Sequence, residues 1–262
     1  MIETTATILS NDRAAKGQYL LSLKVEGLSK TKIIPGQFCM LSTGGGTRLL
    51  RRPFSVHSRP GPDRVTVLYK VAGEGTAGLS RKKKNEKLSL LLPLGNGFPL
   101  KELEKKHLTI VAGGIGVASV MSLLDVKSLS KKFFYGARTK EELCETGKKK
   151  KAGFFFATDD GSKGYKGLVT DLVVQSVTKD LTSIPGRKMA VCACGPMPML
   201  KTLFKNVSNT DSSIDIYFAL EEKMACGFGV CQGCVVATRD GYRRTCKDGP
   251  VFPARQIYWP GN

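Results

Sequence analysis

The chain has 262 residues, of which 41% are hydrophobic and 24% charged, which supports a packed core and excludes a disordered chain. At roughly 100–200 residues per domain, this length predicts two domains or more. Lys and Arg outnumber Asp and Glu 41 to 22, a formal net charge of +19, which would permit a nucleic-acid or membrane-surface partner.

The amino terminus, Met1-Ile2-Glu3-Thr4-Thr5, has neither the basic region nor the apolar core of a secretory leader. No later run approaches the ~18 apolar residues of a membrane helix. The expectation is a soluble cytoplasmic protein with no membrane partner. Residues 1–100 read as all-β, with short apolar or alternating runs at 6–9, 19–25, 37–42, 64–71 and 88–92 separated by Gly, Pro, Asp and Asn. That pattern predicts a small barrel or sandwich. Two motifs lie in this part. Arg51-Arg52-Pro53-Phe54-Ser55 offers arginine for a diphosphate, an apolar slot and a hydroxyl. Leu68-Tyr69-Lys70 precedes Gly73-Glu74-Gly75-Thr76, whose backbone N–H groups suit phosphate. His57, just past the first motif, is a flavin neighbour or a packed strand residue.

The basic residues do not read as a nucleic-acid footprint. They fall in short runs, at Lys82, Lys83 and Lys84 and at Lys148 to Lys151, with no interleaved aromatics. Both runs are expected on solvated loops.

From residue 101 strands alternate with helical patterns, which predicts a doubly wound α/β domain with a parallel sheet. Strands are expected at 108–112, 133–135, 153–157 and 189–193. Helices are expected at 116–126, near Lys140, at 171–177 and from Pro196. His107, after Lys105 and Lys106, reads as a surface residue. The first strand runs into Gly113-Gly114-Ile115-Gly116, which would set a pyrophosphate on helix N–H groups. Ser119 stands where a third fingerprint glycine would be, and no acidic residue follows at the ~20-residue spacing that grips a ribose. Cys194-Gly195-Pro196 ends a later strand on the same carboxyl edge, where ligands of open α/β sheets bind.

The last module, 213–262, opens with a strand at 213–218 and then carries Cys226-x4-Cys231-x2-Cys234 and, after eleven residues, Cys246. Four soft thiolates hold each [2Fe–2S] cluster, and x4–x2 is the plant-type spacing. Asp240-Gly241 predicts a hairpin between Cys234 and Cys246. The alternative is a four-cysteine zinc site, as in a basic nucleic-acid-binding protein. Such sites usually use two CxxC pairs, and one is present. The other cysteines, Cys39, Cys144, Cys192 and Cys194, read as small buried hydrophobes.

In this order the motifs resemble the ferredoxin-reductase superfamily. The segments from Met224 to Cys234 and from Cys246 to Phe252 are similar to the electron-transfer subunits of class 1B dihydroorotate dehydrogenases. So are Ala157 to Ser162 and Gly167 to Thr170. The resemblance implies an FAD-binding β-barrel over 1–100, an NAD-binding α/β domain over 101–212 and a [2Fe–2S] subdomain over 213–262. FAD contacts would be Arg52, Pro53, Phe54, Ser55, Leu68, Tyr69, Lys70, Gly75 and Thr76. NAD contacts would be Gly113, Gly114, Gly116, Cys194, Gly195 and Pro196, and the cluster ligands Cys226, Cys231, Cys234 and Cys246. The implied partner is an FMN-containing catalytic subunit, in a heterotetramer with two copies of each chain. The alternative is a subunit of a flavin-based NAD(P)H–ferredoxin oxidoreductase, with Arg138 placed to accommodate a 2′-phosphate.

Overall fold

The computed structural model describes residues 1–43, 50–144, 152–184 and 186–259. The lysine run at 148–151 lies outside them, whereas Lys83 and Lys84 are exposed as expected.

The first seven strands are β1 (Ile2–Ala15), β2 (Gln18–Val25), β3 (Phe38–Leu41), β4 (Arg52–Ser55), β5 (Ser58–Gly61), β6 (Arg64–Lys70) and β7 (Lys87–Leu94). They form one antiparallel sheet in the order β4-β3-β7-β1-β2-β6-β5. Its two edge strands, β4 and β5, are neighbours in the chain, joined only by Val56 and His57. Val56 N–H donates to the Gln37 carbonyl and His57 N–H to the Thr66 carbonyl, so the sheet curls round on itself as a barrel. Inward-facing residues alternate along the strands, as the pleat requires: Leu21, Leu23 and Val25 on β2 meet Val65, Val67 and Tyr69 on β6 in the buried interior. Helix α1 (Glu74–Ser80) links β6 to β7 and buries Leu79.

After α2 (Leu100–Leu103) comes a second sheet of β8 (His107–Gly113), β9 (Ser130–Ala137), β10 (Gly153–Thr158), β11 (Tyr165–Lys166), β12 (Met189–Cys194), β13 (Asp215–Ala219) and, beyond the hairpin, β16 (Val251–Pro253). Its order is β11-β10-β9-β8-β12-β13-β16, parallel except for β16. Helices α4 (Val169–Ser183) and α5 (Met197–Thr210) cover one face. Leu200, Leu203, Phe204 and Val207 of α5 recur at helical spacing and are all buried. The other face meets the barrel and the short helix α3 (Val117–Val120). The hairpin is β14 (Val235–Thr238) and β15 (Gly241–Arg244).

The differences from the sequence reading have local causes. The expected helix 116–126 is a 3-10 turn at Gly114–Gly116, one α turn at α3 and a second 3-10 turn at Met121–Asp125. Val117, Val120, Ser119 and Ser122 are weak helix formers, and Val117–Val120 is buried on every side, so packing sets its path. Near Lys140 only a 3-10 turn forms. The strand expected to open the third module, β13, lies instead in the second sheet beside β12. No helix among the described residues is long and apolar enough to cross a membrane.

Candidate functional site

The sheet order changes direction between β8 and β12, and the two expected glycine motifs end these strands side by side. A Cβ on Gly116 would stand 2.3 Å from the Cys194 carbonyl oxygen, so only glycine lets the loops cross this closely. The loops form the floor of a cleft of about 510 Å³. Gly113, Gly114, Gly116, Gly195 and Pro196 line it, as do Arg138, Asp159, Thr170 and Glu221. Cys194 does not line it. Its side chain is fully buried underneath, with Sγ 3.8 Å from Glu221 Oε1. Asp159 and Glu142 escaped the sequence reading because they come from the end of β10 and the turn after β9, beyond the fingerprint spacing.

A second cleft, of about 370 Å³, opens between the barrel, α3 and the chain after β13. Pro53, Phe54, Ser55, Leu68, Tyr69 and Lys70 border it. The rings of Phe54 and Tyr69 turn into the barrel core, where they meet edge to face at 5.8 Å and Tyr69 donates to Asn11 Oδ1 at 3.0 Å. Burial pushes the Tyr69 phenol up to about 12, leaving a neutral, rigid backing for the cleft. Arg52, Gly75 and Thr76 lie outside this lining. Arg52 packs on Gly75, and the Thr76 hydroxyl accepts from Ala72 and Gly73 N–H at 2.9 and 3.2 Å. The sequence Gly73 to Thr76 thus starts helix α1.

The two clefts share Lys70, Ile115 and Glu221. Ser119, the residue in place of the fingerprint glycine, has its hydroxyl 2.7 Å from that of Ser55, which joins the two motifs. Glu221 is exposed at this junction, yet desolvation by the surrounding walls raises its carboxyl above its usual range, with its Cys194 contact acting against this. Both linings suit the nucleotides expected in them, glycine backbone at the strand ends of one, and Pro53 and Leu68 beside the polar Ser55, Ser119 and Lys70 in the other. His57 is buried and lines neither cleft. His107 is half-buried, its Nδ1 2.7 Å from Ser130 Oγ and 2.9 Å from Arg187.

The four cysteines of the last module come together in two pairs. Cys231 N–H donates to Cys226 Sγ at 3.5 Å, and Cys246 N–H to Cys234 Sγ at 3.4 Å. Cys234 and Cys246 are buried, whereas Cys226 is half-buried and Cys231 exposed. Gly227 and Gly229 have φ of 81° and 92°, and a Cβ on Gly227 would meet Met40 Cγ at 2.5 Å. Burial opposes ionisation of Cys226, but the N–H groups of Cys231, Phe228 and Val230 outweigh it and bring the thiol down to about 6. Among the described residues no three His, Cys, Asp or Glu side chains converge on a single ion. Two thiol pairs served by backbone N–H groups fit a two-iron cluster, in which each iron takes two thiolates. Phe38, Met40 and Met224 pack against the buried pair, and Phe38 and Met224 also line the smaller cleft. Cys39, Cys144 and Cys192 are buried, as expected.

A family profile described as the iron-sulfur cluster binding domain of dihydroorotate dehydrogenase B matches residues 221–258. Over 257 residues the chain is 38% identical to the dihydroorotate dehydrogenase B (NAD(+)) electron transfer subunit of Caldanaerobacter subterraneus subsp. tengcongensis, covering 96% of this chain and 97% of that one. It is 36% identical to the homolog of that subunit in Aquifex aeolicus, covering 98% and 99%. The chain of a NADH-dependent reduced ferredoxin-NADP oxidoreductase, described for flavin-based electron bifurcation, superimposes with a TM-score of 0.81 at 25% identity, covering 97% and 90%. A ferredoxin NADP+ reductase from Neisseria gonorrhoeae superimposes at 0.67 over 80% of this chain, at 17% identity, a likeness of fold. The fold and the paired cysteines define an iron–sulfur oxidoreductase of the ferredoxin-reductase type. Within that class, the chain belongs to the dihydroorotate dehydrogenase B (NAD(+)) electron transfer subunits.

Proposed function

We propose that the chain receives electrons from the FMN-containing catalytic subunit of dihydroorotate dehydrogenase, in a cytoplasmic heterotetramer with two copies of each, and delivers them to NAD during pyrimidine biosynthesis. Cys226, Cys231, Cys234 and Cys246 would hold a [2Fe–2S] cluster, the smaller cleft FAD and the larger cleft NAD. When bound, the nicotinamide exchanges a hydride, the cluster single electrons, and the flavin both. The protein's part is placement. Pro53 to Ser55 and Leu68 to Lys70 would present the flavin wall, and Arg52, packed on Gly75, would meet the diphosphate together with Gly75 and Thr76. Gly113, Gly114, Gly116, Gly195 and Pro196 give a pyrophosphate close backbone approach, and Cys194 supports that floor from below. The observation that carries this reading is the junction: the clefts share Lys70, Ile115 and Glu221, and the smaller one touches the packing of the buried cysteine pair through Phe38 and Met224.

The likeness to the bifurcating oxidoreductase supports a second reading, an NAD(P)H–ferredoxin oxidoreductase subunit, in which Arg138 at the larger cleft would meet a 2′-phosphate. Full-length identity of 38% to the dihydroorotate dehydrogenase subunit favours the first. The test is anaerobic purification of the complex and addition of NADH. The expected result is near-stoichiometric flavin with two irons per chain, bleaching of the flavin, and then the electron-spin signal of a reduced [2Fe–2S] cluster. A colourless, iron-free protein that ignores NADH would overturn the reading.

A further inference from the structure

Arg244 ties together the two stretches of chain that bring the cysteines to one place. It ends β15, two residues before Cys246, and its Nη1 donates to the Gly229 carbonyl at 3.0 Å, inside the loop between Cys226 and Cys231. Its Nε and Nη2 donate to the Asp248 carboxylate at 3.2 and 3.4 Å, and its backbone N–H donates to Asp248 Oδ2 at 2.7 Å. Its carbonyl accepts from the N–H groups of Lys247, Asp248 and Gly249, closing the turn that carries Cys246. The two side chains are only 30% and 26% exposed, so water screens them less than a surface pair. A guanidinium stays charged at any working pH, and its place two residues before Cys246 with Nη1 on the loop between Cys226 and Cys231 sets a fixed cation beside the cysteine segment.

We propose that Arg244 and Asp248 set the reduction potential of the cluster, Arg244 raising it and Asp248 lowering it. This rests on the reading of Cys226, Cys231, Cys234 and Cys246 as its ligands. Two ferric irons, two sulfides and four thiolates carry a net double negative charge. Reduction adds one electron, supplied by the reduced flavin or the partner subunit, and neither makes nor breaks a bond. A fixed cation beside the site therefore stabilises the reduced state more than the oxidised one, and a fixed carboxylate does the reverse. Arginine's planar fork suits this place because one face can grip Asp248 while Nη1 reaches the loop carbonyl. The two are positioning residues that act on the cluster through charge and through the loop they hold.

The test is an anaerobic redox titration of the holo-complex followed by the electron-spin signal of the reduced cluster, in the wild type and in Arg244→Gln, Arg244→Lys and Asp248→Asn. The expected result is unchanged iron content, a midpoint shifted negative in Arg244→Gln, a midpoint shifted positive in Asp248→Asn, and one close to wild type in Arg244→Lys. A clamp with only a structural role would move Arg244→Gln and Asp248→Asn the same way or not at all, and either result overturns the proposal. Should Arg244→Gln lose its iron, the other two variants decide: the positive shift in Asp248→Asn with little change in Arg244→Lys must still appear. A wild-type complex without iron would instead defeat the ligand assignment on which the proposal rests.

Discussion

At Gly116 the chain leaves no room for even one methyl group. Alanine there would press on backbone atoms, the Cys194 carbonyl oxygen at 2.3 Å and the Gly195 nitrogen at 2.8 Å, which cannot rotate away. Overpacking of this kind costs about 1–3 kcal/mol. Gly116→Ala should lower the melting temperature by several degrees and weaken NADH binding, while flavin and iron content hold; calorimetry and a fluorescence titration check both. Cys246→Ala removes one member of the buried thiol pair. It should strip the iron and abolish the cluster's electron-spin signal while NADH still bleaches the flavin, which separates the two redox sites. Glu221 gives a pH signature. Although the residue is exposed, desolvation between the cleft walls raises its folded pKa above the ordinary 4.5, so the folded state binds the proton more tightly than the unfolded chain. The resulting stability is full below the unfolded value and is lost as pH rises through the folded one. Glu221→Gln escapes this loss, so its melting temperature relative to wild type should rise as the pH is taken upward from 4.5. A difference that stays flat as the pH rises would contradict that desolvation.

Helix α5 shows what an element reveals in advance and what it hides. Its apolar positions recur at helical spacing and its start follows Cys194-Gly195-Pro196, so its existence and its buried face were legible. Leu203 is fully buried between the helix and the sheet. Leu203→Ala should cost about 2–5 kcal/mol, read as a lowered denaturant midpoint, with the cysteine segment unaffected. Other elements carry weaker signals. Helix α1 begins in a glycine-rich stretch that looks like a phosphate loop, and the Thr76 hydroxyl accepts the N–H groups of Ala72 and Gly73 in its own first turn. Strands β11 and β16, two and three residues long, are too short to show a period. Met121–Asp125 is drawn out of an α-helix by close packing around Met121, Leu123 and Leu124, to which weak helix formers such as Ser122 add little resistance.

Across the whole molecule, the cysteine spacing made one centre legible and the glycine motifs located a second. Their relation was not legible. The meeting of Ser55 with Ser119, 64 positions apart, and the place of Glu221 on both clefts follow from the way β8, β12 and β13 align against the barrel. On the proposed function, that alignment would join three separate sites into one route, from the buried cysteine pair past Phe38 and Met224 to the paired clefts. The most direct test is to follow NADH formation after adding dihydroorotate and NAD to the anaerobic complex, with and without this chain. The proposed function requires NADH formation that depends on this chain and fails with Cys246→Ala. NADH formation by the catalytic subunit alone, or a complex silent toward dihydroorotate that reduces ferredoxin with NAD(P)H instead, would contradict it.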